Sequence, residues 1–317
     1  EKIQTIYIDP PFNKEQDADY LYNVKYKDST WASLLENRLW LAKYSMNDKG
    51  SIFVRCDYNG NWIVRCLMDD IFGEDNFLND IIVARITKKG FGANRYPTAN
   101  DYLFWHSKTE KYFFEDYRKP LKLSKEKWHS MDSMSGGRGT GEPRIILGKL
   151  RYPPLNRVWT FSQKRIHEME KQGLIKLNSK GTPIYKVLLQ EGEPLDSNWM
   201  DIPGYSFSTN FQTENSEILL KRVIESTSKR GDFVMDYFLG SGTTTAVAHK
   251  LGRKWIGIEM GDHFWTVIMP RMKKVLFYDK SGISKEKDVK EKYNEREAGG
   301  FFKYYELEQY EDSLKRL

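Results

Sequence analysis

Cysteine is nearly missing from this chain. Only Cys56 and Cys66 occur, ten residues apart and without metal-ligand spacing. A disulfide framework is thereby excluded, and the pair reads as buried thiols in a reducing cytoplasm. Nor does any apolar run reach the roughly eighteen residues that suggest a membrane span, and no basic-then-apolar leader opens the chain. Both absences argue against membrane insertion and secretion. No internal repeat is visible. The first residue is Glu1, not Met, and it opens directly into a strand-like stretch. Further sequence upstream is therefore expected.

What is present suits a large folded domain with an insertion. The 317 residues are 39% hydrophobic against 30% charged, enough apolar material for a real core. The net charge of +6 is unevenly spread. Residues 85–171 carry 19 Lys/Arg against 9 Asp/Glu, a balance of +10, which leaves −4 for the remainder. Aromatics are interleaved there: Trp105, Tyr112, Phe113, Phe114, Trp128, Tyr152 and Trp159. Basic residues beside aromatics suit a phosphate backbone and exposed bases, although a basic stretch is also an ordinary solvated surface.

Hydrophobic periodicity places strands at 3–8, 51–55, 78–85 and 101–107, and helices at 30–47 and 61–72. The rhythm fades through the middle, where the segment 133–144 has four Gly among twelve residues. It returns with a helix at 215–229, a strand at 232–238, a helix to about Lys250, a strand at 254–260 and a helix from His263 to about Val275. Such alternation in both flanks predicts one mostly parallel sheet with helices on both faces. Ligands in these sheets bind beyond the carboxyl ends of the strands, which puts Asp9, Asp236 and Glu259 on one rim.

Two stretches carry chemistry. In "IYIDPPFN" (6–13) a strand runs into an acid and two prolines. Proline fixes φ and has no N–H, so Pro10 and Pro11 form a stiff turn with carbonyls left to accept. Ordinary turn punctuation would look the same. In "MDYFLGSGTTTAVAHKLGRKWIGIE" (235–259) a strand ends at Asp236, Gly240 and Gly242 let backbone approach a ligand, and Glu259 follows Gly240 by nineteen residues. Thr245 replaces the third glycine of a dinucleotide fingerprint, and no Gly-Lys-Ser/Thr is present to cradle a nucleoside triphosphate. S-adenosylmethionine fits the remainder: a ribose for Glu259 and an amino-acid end near the loop. His249 and His263 read as structural helix residues.

Together, "DPPF" and "DYFLGSGTT" resemble the paired motifs of amino-directed DNA methyltransferases, in the order of the permuted β group that acts on adenine N6 or cytosine N4. "KIQTIYIDPPFN", "GSIFVRCDYN", "IFGEDNFLNDIIV", "NFQTENSEILLKRVIE", "DYFLGSGTTTAVAHKLGRKWIGIEMGDHF" and "GGFFKYYELEQYEDSL" are similar to the modification (Mod) subunit of type III restriction–modification systems. The resemblance covers both flanks, and the middle matches in position only. It implies an α/β, Rossmann-like S-adenosylmethionine-dependent methyltransferase core with an inserted target-recognition domain. The corresponding division is a catalytic half at 1–107, target recognition at 108–210, a cofactor half at 211–279 and a charged C-terminal segment at 280–317. Phe12 stands where a Tyr is common, and the family's upstream Gly-Asp motif would precede Glu1.

On this resemblance Asp9 and the Pro10 carbonyl accept the two N–H groups of a flipped-out adenine, the prolines hold that carbonyl, and Phe12 stacks on the base. Asp236, Phe238, Gly240, Ser241, Gly242, Thr243 and Glu259 hold the cofactor. Lys88, Lys89, Arg95, Arg138 and Arg144 are the expected phosphate contacts, and no metal is needed. The implied partners are double-stranded DNA, a second copy of the chain and a restriction (Res) subunit. Cytosine-N4 methylation and a catalytically silent recognition subunit are the alternatives. Adenine is favoured because cytosine-N4 members commonly carry Ser in the Asp9 position.

Overall fold

The computed structural model describes residues 1–11, 28–85, 94, 96, 98–119, 128–134, 141–186, 193–206, 211 and 213–307. Strand β1 (Ile3–Ile8) is buried at every position, which a sheet permits only when both its faces are covered. Its period of two divides it cleanly. Ile6 and Ile8 pack into a core with Trp31, Leu35 and Leu39, whereas Tyr7 joins a second core on the opposite face with Leu219, Leu220 and Val223.

The first face is covered by α1 (Asp28–Ser45) and α2 (Asn61–Phe72). The other is covered by α3 (Glu217–Thr227), α4 (Thr243–Lys250) and α5 (Met269–Leu276). The remaining strands are β2 (Met46–Cys56), β3 (Phe77–Ala84), β4 (Asn100–Ser107), β5 (Asn198–Pro203), β6 (Phe233–Asp236) and β7 (Lys254–Gly257). Their order across the sheet is β5-β3-β4-β2-β1-β6-β7. Only β4 runs against its neighbours, antiparallel to both β2 and β3. The expected mostly parallel sheet with helices on both faces is therefore present.

Several local details depart from the sequence reading. A π-helical turn, Phe264–Ile268, precedes α5. Pro270 accounts for it: its ring would clash with the carbonyl four residues back, and a widened turn relieves that. Cys66, expected buried, is exposed, because it lies opposite the face of α2 formed by Val64, Met68 and Ile71; Cys56 is buried as expected. Trp105 is also interior, stacked on Phe53 at 5.2 Å, and so offers no face to a base. No helix among the described residues is long and apolar enough to cross a membrane.

The chain divides into two compact units. Glu1–Tyr117 and Leu195–Leu317 make the sheet unit; Arg118–Pro194 make the other. Among its described residues this second unit holds strands of two to four residues and the helix Gln163–Lys171. Ser162 caps that helix by accepting from the Arg165 N–H. Met131, Ile146, Ile166, Met169, Leu174 and Ile175 form its small core.

Candidate active site

The carboxyl ends of β1, β6 and β7 lead into Asp9, Asp236 and Glu259, so the sheet sets all three acids on one rim. Asp9 is half-buried, and its Oδ2 accepts from Asn215 Nδ2 at 2.8 Å. Asn215 Oδ1 in turn accepts from Tyr7 Oη at 2.7 Å and Arg55 Nη1 at 2.6 Å. Arg55 Nη2 reaches Asp101 Oδ2 at 2.8 Å, which also accepts from Tyr205 Oη at 3.0 Å. The guanidinium lies over the Tyr205 ring, 4.0 Å from its centroid. Arg55 and Asp101 have no exposed side-chain surface. Burial pushes the Asp9 carboxyl up to about 6, against the pull of Arg55 and the Asn215 hydrogen bond.

The turn after Asp9 is fixed from α1. Trp31 is fully buried and donates its indole N–H to the Pro11 carbonyl at 2.7 Å. Pro10 is buried and Pro11 half-buried. Phe12 lies outside the described residues.

Glycine makes the second loop possible. Gly240 has φ +54° and Gly242 φ +80°, conformations that side chains rarely adopt. Asp236 orders the turn from beneath, accepting from Phe238 N–H at 3.0 Å and Thr244 Oγ1 at 2.6 Å. Burial raises its carboxyl to about 7 despite these bonds; Asp9 and Glu259 add to the rise. Ser241 and Thr243 share a hydroxyl hydrogen bond at 2.9 Å, and Arg271 donates to Thr243 Oγ1 at 2.9 Å. Arg271 is itself paired with Glu214 at 2.8 Å and Glu217 at 3.2 Å.

Glu259 closes the site from the β7 side. Its carboxylate accepts from the N–H groups of Gly240 at 2.8 Å, Met260 at 2.9 Å and Gly261 at 3.0 Å. Burial pushes this carboxyl up, but His263 and the Gly261 and Gly240 amides outweigh it and hold it below the usual range. His263 Nε2 also stands 3.4 Å from its Oε2. Phe211 lies against Gly240 and meets the His263 ring in a tilted contact, centroids 5.2 Å apart. His249, read as structural, bonds the Ala298 carbonyl at 3.0 Å.

Asp9, Pro10, Pro11, Asp236, Phe238, Gly240, Ser241, Gly242, Thr243 and Glu259 thus all lie at the ends of three strands, β1, β6 and β7, on one rim. Arg144 lies in the second unit, held by Glu142 at 3.1 Å. Lys88, Lys89, Arg95 and Arg138 fall outside the described residues. Sequence reasoning missed Asn215, Arg55, Asp101, Tyr205 and Trp31. One signal was available: an arginine inside the apolar run "SIFVRC" is a charge in a buried strand, which needs partners.

Known proteins share this architecture. The chain is 29% identical over 401 residues to the "Probable type III restriction-modification enzyme HindVI Mod subunit" of Haemophilus influenzae, covering 99% of this chain and 52% of that protein. It is 26% identical over 288 residues to the type II methyltransferase M.EcaI of Enterobacter cloacae, covering 81% of this chain and 62% of that one. The chain thus spans between about half and two-thirds of these relatives' length. The solved PvuII DNA methyltransferase (cytosine-N4-specific) superposes with TM-score 0.51 at 17% identity, over 92% of this chain and 86% of that one. That likeness shows the fold, a Rossmann-like methyltransferase core. The family model described as DNA methylase matches residues 3–270, and the chain belongs to that N6/N4 DNA methylase family.

Proposed function

We propose that this chain transfers a methyl group from S-adenosylmethionine to the N6 amino group of adenine in DNA, as part of a type III modification enzyme. The observation that carries the reading is Asp9. Its carboxylate stands at the end of the interior strand β1, with one oxygen held by Asn215, on the same rim as a glycine loop.

The residues present suit the cofactor. Its sulfonium is a cation, and Asp9, Asp236 and Glu259 make the rim electronegative. Glu259 is the acceptor for the ribose hydroxyls, and the left-handed turn at Gly240 and Gly242 admits the amino-acid end. When bound, this group supplies an electrophilic methyl on sulfur.

The chain's own work is positioning. An exocyclic amine is a poor nucleophile because its lone pair is delocalised into the ring. Asp9 accepting one N–H and the Pro10 carbonyl accepting the other pull that lone pair out of conjugation. Trp31 holds the turn that carries the carbonyl. Such preorganised acceptors lower the barrier without forming a covalent enzyme intermediate. Phe12 stacks on the flipped base. In this reading the unit Arg118–Pro194 carries target recognition, with phosphates held by Arg138 and Arg144 and by Lys88, Lys89 and Arg95. Double-stranded DNA is the substrate; a second copy of the chain and a restriction (Res) subunit are the proposed partners, in the cytoplasm.

The test is to identify the methylated nucleoside in DNA from cells expressing the full-length protein. N6-methyladenine is expected. N4-methylcytosine would keep the site and overturn the base, and unmodified DNA would leave a recognition subunit.

A further inference from the structure

Asn215 lies in no catalytic or glycine-loop motif, yet among the described residues it is the one that hydrogen-bonds the Asp9 carboxylate. Its amide cannot be turned around. The Oδ1 atom accepts two hydrogen bonds at once, from Tyr7 Oη at 2.7 Å and Arg55 Nη1 at 2.6 Å. A flipped amide would set its NH2 group against those donors and its oxygen against a carboxylate. The NH2 side therefore faces Asp9, donating to Oδ2 at 2.8 Å. No hydrogen bond to Asp9 Oδ1 occurs among the described residues, so that oxygen is the one left for a substrate.

The donors that fix Asn215 are themselves fixed. Arg55 alternates along β2 with Val54 and Cys56, which face the α1–α2 core, so it points to the opposite face of the sheet. There it meets Asp101, the Gly204 carbonyl at 2.8 Å and the Tyr205 ring. β4 is the reversed strand, so its second residue, Asp101, comes to the rim where its neighbours end. A guanidinium buried this completely stays charged only with such partners.

We propose that Asn215 is a positioning residue for methyl transfer: it relays the buried Arg55–Asp101 pair to Asp9, keeps that carboxylate anionic, and presents its Oδ1 to the substrate amine. The proposal rests on the methyltransferase reading given above. The titratable and charged groups that interact with Asp9 are Arg55, Cys56 and Asp57 from β2 and its end, Asp101 from β4, Tyr7 from β1, Tyr205 beyond β5, and Asp236 from β6. Arg55 and Asn215 favour the anion, whereas Asp101 and Asp57 oppose it. Removing Asn215 thus tips the balance toward protonated Asp9, whose neutral carboxyl is a much weaker acceptor for the amine than the anion.

The experiment measures single-turnover methyl transfer from saturating S-adenosylmethionine to long unmethylated duplex DNA of mixed sequence, between pH 5 and 9. Wild type is compared with Asn215→Ala and with the isosteric Asn215→Asp. In Asn215→Ala the acid limb should move up by about one pH unit, the scale of one hydrogen bond to a charged group. The plateau should fall about tenfold or more, as when a preorganised group is loosened. Asn215→Asp keeps the acceptor for Tyr7 and Arg55 but sets two carboxylates face to face. Arg55 then holds the new one anionic, the shared proton resides on Asp9, and the limb should move further still. Calorimetric affinity for S-adenosylmethionine should stay within a few-fold in Asn215→Ala.

A lower rate with an unmoved acid limb would make Asn215 merely structural and overturn the proposal. So would loss of cofactor affinity in Asn215→Ala, or failure of both variants to fold while Asp9→Ala folds. Carbon-13 titration of labelled aspartates, with Asp9 identified by its loss in Asp9→Ala, reads the same shift without catalysis. Should wild type transfer no methyl groups at any pH, the methyltransferase reading fails, while this titration still decides whether Asn215 controls Asp9.

Discussion

Trp31 donates its indole N–H to the Pro11 carbonyl at 2.7 Å, tying the first covering helix to the turn that follows Asp9. Trp31→Phe keeps most of the ring but deletes the donor. The fold should lose about 1 kcal/mol, the net value of one hydrogen bond, and methyl transfer should slow about tenfold from a looser turn. Denaturant unfolding beside single-turnover transfer separates the two effects. Gly60 offers a second route to the same turn, because a Cβ there would stand 2.5 Å from the Trp31 ring. Gly60→Ala should therefore also slow transfer, and unaltered rates in both variants would release Trp31 from this role.

Asp9→Ala should retain the fold and bind both S-adenosylmethionine and DNA, because the glycine loop and the proposed phosphate-contacting residues are other parts of the chain. Transfer should fall at least about 10²-fold, the usual cost of deleting one preorganised electrostatic group. Labelled-methyl incorporation in a single turnover isolates that step. A variant within a few-fold of wild type would remove Asp9 from the mechanism.

Glu259→Ala should weaken S-adenosylmethionine binding by roughly 1.5–3 kcal/mol, the value of a lost hydrogen bond to a charged group. Three backbone amides also lose their acceptor, so the thermal midpoint should drop in the same variant. Calorimetry that finds wild-type affinity in a folded Glu259→Ala would refute the ribose role.

Acid should switch transfer off. Anionic Asp9 is the stronger acceptor for an N–H, and with its carboxyl raised to about 6 the rate should fall as pH drops through that value. Stability runs the other way. Asp9 and Asp236 bind protons more tightly folded than unfolded, being raised to about 6 and about 7. Their contribution is most favourable near pH 4 and is lost as pH rises through about 7. Asp236→Asn removes one of these titrations, so its melting temperature should fall less between pH 5 and 8 than wild type's. An identical slope in the two proteins would mean that Asp236 titrates normally.

DNA affinity should fall steeply with salt, because each neutralised phosphate releases counterions. Replacing Lys88, Lys89 and Arg95 together by neutral residues should flatten the log–log slope by about 0.9 for each phosphate no longer neutralised. A slope that stays put would show that these side chains do not touch phosphate.

What the sequence made legible follows from periodicity and covalent constraint. Helix α2 occupies 61–72 as read, because its apolar positions repeat with a helical period and Gly73 ends it at φ +95°. The rim carboxylates were legible because strand ends are marked by the residues that follow, Pro10 in one case and Gly240 in the other. Strand β5 was not. Of "NWMDIP" only Trp199 and Ile202 are buried, and a half-buried edge strand closed by Pro203 carries little pattern. The Arg55–Asp101–Tyr205–Asn215 network was equally hidden. Its members lie as far as 160 positions apart, and only the crossing of β4 against its neighbours brings them together.

The long separation within the sheet also has a consequence for synthesis. Strand β1 is interior, and on one side it pairs with β6, where Thr5 lies opposite Val234. At about 5–20 residues per second, a ribosome needs roughly 10–45 s to make the intervening chain. For that interval the first strand of the core has an apolar edge with no partner, the kind of edge that recruits strands from other chains. The nascent protein should therefore lean on a holding chaperone until residue 234 has emerged, and lowering the translation rate should lengthen that dependence.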